Sequence, residues 1–86
     1  MSTNQEFLRI AILEIFYEIM DGDTVNPISL EDLNKFVYLH NEDAIIDRGI
    51  EWTWQHLIAS TRKYLVDASL LKRDKVDGIT LYTLVG

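Results

Sequence analysis

The sequence predicts a mainly helical domain closed by a β-hairpin near its C-terminal end. Apolar residues recur at helical spacing in three separate stretches of residues 1–68. The dipeptide Asp77-Gly78 stands between two β-prone runs, which indicates a hairpin because both central positions of a type I′ turn need a positive φ. With 86 residues, of which 48% are hydrophobic and 26% charged, the chain suits one packed domain over residues 1–86.

The first helix is predicted over residues 4–20, capped by Ser2, Thr3 or Asn4 and ending near Gly22. Its core face is one broad apolar stripe of Leu8, Ala11, Ile12, Ile15, Phe16 and Ile19. A second apolar set lies on another side of the helix and consists of Ile10, Leu13 and Tyr17. A helix that is apolar on two faces is either sandwiched inside the fold or used for self-association. The second set is therefore the candidate homodimer interface, with simple burial as the alternative.

The connector from Asp21 to Pro27 is rich in acids and turn residues. Its acids resemble the start of a calcium loop, in which the ligands and one glycine occupy fixed positions. The glycine position holds Asn26 and the next position holds Pro27, so the match fails where the geometry is strictest. We therefore predict a solvated loop and no metal site.

The second helix is predicted to begin at Ser29, with Asp32 as its capping partner, and to end between Tyr38 and His40. Its inward face comprises Leu30, Leu33, Phe36 and Val37.

A short helical turn around Asp43–Arg48 is expected next, ended by Gly49. Ile45 and Ile46 are the apolar residues of this turn, and both are predicted to fill the core.

The third helix is predicted to run from Glu51 or Thr53 to Ala68. Its inward face comprises Trp54, Leu57, Ile58, Thr61, Tyr64, Leu65 and Ala68. Its outward face comprises Trp52, His56, Ala59 and Lys63, flanked by Gln55, Ser60, Arg62 and Val66. The outward face has a small centre and a basic C-terminal end, which would let the helix approach a groove closely. Trp52 is expected to be partly buried under the preceding loop, with a role as an exposed contact residue as the alternative.

Enzymatic function is not predicted. The two histidines, His40 and His56, stand in no metal-binding spacing, and the four glycines are isolated. Ser60 lies four residues after His56 on the helix, but such a pair arises easily by chance. The chain has no cysteine, no signal peptide and no apolar run long enough to span a membrane. We expect a cytoplasmic protein without a cofactor.

Charge is distributed unevenly along the chain. The net charge is −6, with −8 in residues 1–51 and +2 in residues 52–86. Because acidic surfaces repel phosphates, the C-terminal part is the part that tolerates nucleic acid.

Three helices followed by a hairpin describe a winged helix-turn-helix, with the hairpin as the wing. The residues from Trp54 onward resemble the N-terminal winged-helix domain of Mrr-type restriction proteins, and are similar to other small prokaryotic and viral winged helices. The resemblance is carried by Trp54, Ala59, Leu65, the run Asp67-Ala68-Ser69-Leu70-Leu71, Gly78, the run Leu81-Tyr82-Thr83, and Gly86. Those domains usually have glycine where this chain has Ser69. The resemblance implies a fold and a DNA-facing helix, and it implies no catalytic activity.

The candidate nucleic-acid site combines the third helix with the hairpin. Gln55 and His56 are expected to reach base edges from the first turn of the helix. The phosphate-binding candidates are Arg62, Lys63, Lys72, Arg73 and Lys75. The alternative is that these cations are solvated charges that balance the acidic half of the chain.

Two functions follow from this site and the charge pattern. The first is a small dimeric protein that binds double-stranded DNA, a transcriptional regulator of prokaryotic or viral origin. The alternative is an acidic protein-interaction module on the same scaffold, without nucleic-acid contact. In that case a host or partner protein would dock on Ile10, Leu13, Tyr17 and Trp52.

Overall fold

The computed structural model describes residues 2–86 and shows three helices with a small antiparallel sheet. The elements are α1 (Thr3–Glu14), a π-helical turn (Ile15–Ile19), β1 (Ile28–Ser29), α2 (Leu30–Asp47), α3 (Trp54–Asp67), β2 (Leu71–Val76) and β3 (Ile79–Leu84). The strand order in the sheet is β1-β3-β2. The predicted mainly helical fold with a C-terminal hairpin is confirmed, whereas β1 was not predicted. No helix within residues 2–86 has the length and apolar character to cross a membrane.

The start of α1 is fixed by a capping box. The Ser2 hydroxyl accepts a hydrogen bond from the Gln5 backbone N–H at 3.2 Å, and the Ser2 backbone N–H donates to the Gln5 side chain at 3.2 Å. The α-helix ends at Glu14, and the π-helical turn continues it. A π turn holds one residue more than an α turn, so it rotates the positions that follow it. This explains why the prediction that Ile19 belongs to the core face is wrong: Ile19 is 45% exposed.

The connector between the π turn and β1 is organised by Asp23. Its carboxylate accepts hydrogen bonds from the Asn26 backbone N–H at 3.0 Å, the Asn26 side chain at 2.7 Å and the Val25 backbone N–H at 2.7 Å. These hydrogen bonds hold the pKa of Asp23 below its usual value, because they stabilise the ionised carboxylate. The hydrogen bond from the Asn26 backbone N–H has the largest effect. The acid thus closes a local turn, and Ile28 and Ser29 then pair with Tyr82 and Leu81.

The second helix is longer than predicted. Ser29 caps it, accepting from the Asp32 backbone N–H at 3.1 Å, as expected. It does not end at residues 38–40 but continues to Asp47 across a kink at Asn41, whose φ is −133°. The Asn41 side chain donates to the Val37 carbonyl at 2.9 Å, so a side chain intrudes into the helix at the kink. Beyond the kink Ile45 is buried as predicted, but Ile46 is 49% exposed, contrary to the prediction.

The core lies between the three helices and one face of the sheet. Its members are Leu8, Ala11, Ile12, Ile15, Phe16, Ile28, Leu33, Val37, Ile45, Ile50, Trp54, Ile58, Leu65, Leu71, Tyr82 and Leu84. Trp54 is buried as predicted, with its ring centroid 5.3 Å from that of Tyr38. Tyr64 and Ala68, both predicted to face inward, are exposed. The buried side of α3 therefore differs from the predicted face, since it excludes these two residues and includes Arg62.

A Schellman motif ends α3 and leads into the hairpin. The Leu70 N–H donates to the Leu65 carbonyl at 2.9 Å, and the Ser69 N–H donates to the Val66 carbonyl at 3.0 Å. Ser69 takes the left-handed conformation, with a φ of 60°. Glycine adopts this conformation more readily than serine, because it has no Cβ.

The hairpin loop has two residues, since Val76 pairs with Ile79. Asp77 and Gly78 have φ values of 51° and 79°, as a type I′ turn requires. Gly78→Ala is expected to reduce the free energy of unfolding by about 1 kcal/mol, because a Cβ is strained in this conformation. A Cβ there would meet nothing within 4 Å, so a clash adds nothing to this cost. Urea denaturation measures the change, and an unchanged midpoint would contradict the assigned turn.

Candidate nucleic-acid interface

The outward face of α3 carries polar and small side chains over its whole length. Trp54, Ile58 and Leu65 occupy the buried side. The exposed residues opposite them are Gln55, His56, Ala59, Lys63 and Asp67. The 100° spacing of an α-helix places these five on one broad surface. Gln55 and His56 lie in the first turn, as the sequence predicted, and their side chains are open to solvent.

A groove separates this surface from the hairpin. We call it the α3–hairpin groove, and it is lined by Ala59, Lys63, Val66, Asp67, Arg73 and Tyr82. Arg73 reaches it because Arg73 on β2 pairs across the sheet with Tyr82 on β3. The structure thus brings together two of the predicted phosphate-binding residues, Lys63 and Arg73, although ten positions separate them in the chain.

Lys63 has an intramolecular partner in this groove. Its Nζ lies 2.7 Å from Oδ2 of Asp67, one helical turn further along α3. Both side chains are exposed, at 78% for Lys63 and 61% for Asp67. Water competes with such a pair, and its contribution to stability is small. Arg73 forms no ion pair within residues 2–86.

Arg62 is not on the exposed surface, contrary to its predicted placement. It is only 8% exposed, and its Nε donates to the Tyr82 hydroxyl at 3.3 Å. Its Nη1 donates to Oδ1 of Asn34 on α2 at 2.7 Å. No carboxylate in residues 2–86 pairs with it. The Arg62 guanidinium therefore joins α2, α3 and β3 from inside the fold, and it lies behind the groove.

The hairpin cations are divided between the two faces of the sheet. Strand alternation places Arg73 on the face of buried Leu71, and Lys72 and Asp74 on the opposite face. Lys72 lies 3.7 Å from Asp74, which partly neutralises it. Lys75 shares the face of Arg73, two positions further along β2, but it stands near the hairpin tip, where it also borders a hollow lined by Lys72 and Asp74. The structure therefore does not bring Lys72 to the groove.

Trp52 lies in the turn that precedes α3, and it is 88% exposed. The expectation that it is partly buried under the preceding loop is therefore wrong. Trp52 stays outside the core because Trp54, two residues later, takes the core position at the start of the helix. A tryptophan with this exposure is an available contact residue next to Gln55 and His56.

The three residues of the candidate dimer interface differ in exposure. Ile10 is 51% exposed and Tyr17 is 56% exposed. Leu13 is half-buried and packs against the core. Ile10 on α1 and Tyr17 on the π-helical turn thus remain exposed, and together with the half-buried Leu13 we call them the α1 strip.

The hydroxyl of Ser60 is turned towards other partners than His56. It donates to the Leu57 carbonyl at 3.0 Å and accepts from the Gln5 side chain of α1 at 3.1 Å.

Within residues 2–86 no three histidine, aspartate or glutamate side chains are arranged to hold a metal ion.

Most acidic side chains lie on other elements than α3 and the hairpin, which form the groove. Those that α1, the π turn and α2 expose are Glu6, Glu14, Glu18, Glu31, Asp32, Glu42, Asp43 and Asp47. The groove is built from α3 and the hairpin, and among its lining residues Asp67 is the acid. The charge separation seen along the chain is thus a separation between structural elements.

Comparison of the chain with protein-family models, with curated proteins and with solved structures found no match.

Proposed function

We propose that this chain is a small winged-helix protein that binds double-stranded DNA as a homodimer and regulates transcription in a prokaryote or a virus. The arrangement of three helices with a hairpin packed beside α3 supports the winged-helix assignment. In this assignment α3 is the recognition helix and β2–β3 is the wing. The protein acts by binding, without a cofactor.

The observation that carries the proposal is the meeting of Lys63 and Arg73 at one groove. Two cations from separate elements are placed where a recognition helix and a wing would approach one duplex. They lie on other elements than the exposed acids of α1 and α2, in a chain with a net charge of −6. Local charge, and not net charge, determines where a polyanion can approach.

The roles of the individual residues follow from their positions. Gln55 and His56, exposed in the first turn of α3, contact base edges in the major groove. Lys63 and Arg73 contact phosphates, and Lys75 adds a phosphate contact near the hairpin tip. Lys72 lies on the other face of the sheet and contributes only through the long-range field. Arg62 holds α3 against β3 and α2 through its hydrogen bonds to Tyr82 and Asn34, behind the groove.

Fluorescence anisotropy of a labelled duplex, measured at several salt concentrations, tests the proposal. Each phosphate contact is expected to contribute about −0.9 to the slope of log affinity against log salt, because counterions are released. Three contacts per protomer predict a slope near −2.7 for each protomer bound. Absence of binding at low salt would overturn the proposal.

The homodimer forms in this proposal through the α1 strip, in which Ile10 and Tyr17 are exposed and Leu13 is half-buried. Ile10→Lys combined with Tyr17→Lys is expected to yield a monomer, because it places charges in a contact that must be desolvated. Size-exclusion chromatography with light scattering measures the mass. Leu39→Lys is the matched control, since Leu39 is 57% exposed on α2, and it is expected to leave the dimer intact. A wild-type protein with the mass of one chain would refute the dimer.

A second function is favoured by one observation, the 88% exposure of Trp52 in a chain with a net charge of −6. On this alternative the chain is an acidic protein-interaction module, and Trp52 with the α1 strip docks a partner protein. Pull-down from host lysate distinguishes it. One stoichiometric protein partner that is retained by Lys63→Glu and Arg73→Glu but lost with Trp52→Ala would support the alternative. Loss of the partner with the charge reversals would count against it.

A further inference from the structure

The α3–hairpin groove contains an acid as well as its cations. Asp67 lines the same groove as Lys63 and Arg73, and its carboxylate holds the Lys63 ammonium at 2.7 Å. A phosphate in this groove would therefore have to compete with Asp67 for Lys63. A third cation, the buried Arg62, donates to the hydroxyl of Tyr82, which lines the groove, and it pairs with no carboxylate in the described chain.

We infer that Asp67 is a built-in brake on DNA binding, an internal anion that occupies Lys63 until a backbone phosphate displaces it. This inference rests on the proposed function and adds a residue that lowers affinity. The pair is suited to such a role because both side chains are exposed and an exposed i, i+4 pair is weak. A brake of this kind can be released by a polyanion, whereas a buried pair could not be.

The brake has a consequence for selectivity. An isolated anion would gain a contact with only one or two cations in the groove, against a carboxylate that the helix already holds at contact distance from Lys63. A duplex presents several phosphates at once, and its negative electrostatic potential attracts Arg73 and Lys63 together. The occupant for which the groove is suited is therefore the phosphate backbone of a nucleic acid, which complements its cations, and not a free phosphate ion.

Asp67→Asn tests the inference with a shape-conserving change. It is expected to raise duplex affinity by about two- to fivefold at moderate salt, since Lys63 is released and a repulsive charge is removed. Asp74→Asn is the matched control. It frees Lys72 from a longer surface ion pair, at 3.7 Å, on the other face of the sheet, and it is expected to change affinity by less than about twofold.

A double-mutant cycle separates the brake from a general charge effect. In a Lys63→Gln background the gain from Asp67→Asn is expected to shrink to less than about half, because no ammonium remains to be released. An equal gain in both backgrounds, or no gain in the wild-type background, would overturn the inference and leave the proposed function standing. If wild-type protein and all these variants fail to bind duplex at low salt, the proposed function itself falls, and the inference with it. Circular dichroism confirms that each variant is folded.

Discussion

Reversal of both groove cations, Lys63→Glu with Arg73→Glu, is expected to weaken duplex binding by about 100-fold or more at moderate salt. Each reversal removes one phosphate contact and adds one repulsion at the point of closest approach. The slope of log affinity against log salt should fall in magnitude by about 2 per protomer, because two counterions fewer are released. Anisotropy titration of the same duplex measures both quantities.

Lys72→Glu is the control for Arg73→Glu alone. It makes the same change of charge on the same strand, but Lys72 points away from the groove and already faces Asp74. Its effect on affinity should be no more than about threefold. If Lys72→Glu weakens binding as much as the change at Arg73, the groove has no special role and only the overall field of the hairpin matters.

Arg62→Ala is expected to lower the free energy of unfolding by about 2–4 kcal/mol. Truncation removes the donor to Asn34 and Tyr82 and leaves both oxygens in a space that water does not easily fill. It also removes packing by the buried part of the side chain. Urea denaturation followed by circular dichroism gives the change.

The neighbouring residue supplies the control for Arg62. Lys63→Ala removes an exposed cation and a surface ion pair, so it should change stability by no more than about 0.5 kcal/mol. The two variants thus separate a buried structural cation from a surface ligand. An Arg62→Ala protein with wild-type stability and reduced duplex affinity would restore Arg62 as a phosphate ligand and contradict its structural role.

Much of the fold could be predicted from the sequence because the signals are local. Ser2 and Ser29 cap helices through residues three positions away, and Asp77-Gly78 sets its own turn. The burial of Trp54 could be predicted from helical spacing alone. These features depend on a few neighbouring residues, and a pattern in the chain records them directly.

The failures concern features that arise between distant parts of the chain. Arg62 stands at a flank of the predicted outward face, and its burial depends on Asn34 and Tyr82, which lie 28 and 20 positions away. No local pattern identifies such partners. The strand β1 has two residues, too few for any alternation to show, and pairing with β3 alone defines it. The prediction for Ile19 failed because apolar spacing assumes an uninterrupted α-helix, whereas a π-helical turn begins at Ile15.

The candidate site was predicted in outline but not in composition. Charge clustering singled out the cations of the third helix and the hairpin, and two of them, Lys63 and Arg73, border one groove. The division of the hairpin cations between faces depends on strand register, which the charged run at residues 72–75 obscures. Asp67 was not recognised as part of the site, although its position four residues after Lys63 is a signal that could have found it.

Titration of isotopically labelled protein with duplex, followed by amide NMR chemical shifts, tests most directly where DNA is bound. The largest shifts are expected in α3, around Gln55, His56 and Lys63, and in β2, around Arg73. Small shifts are expected over the acidic surface of α2. Shifts concentrated on α2 or on the α1 strip, or no shifts with excess duplex at low salt, would contradict DNA binding at the α3–hairpin groove.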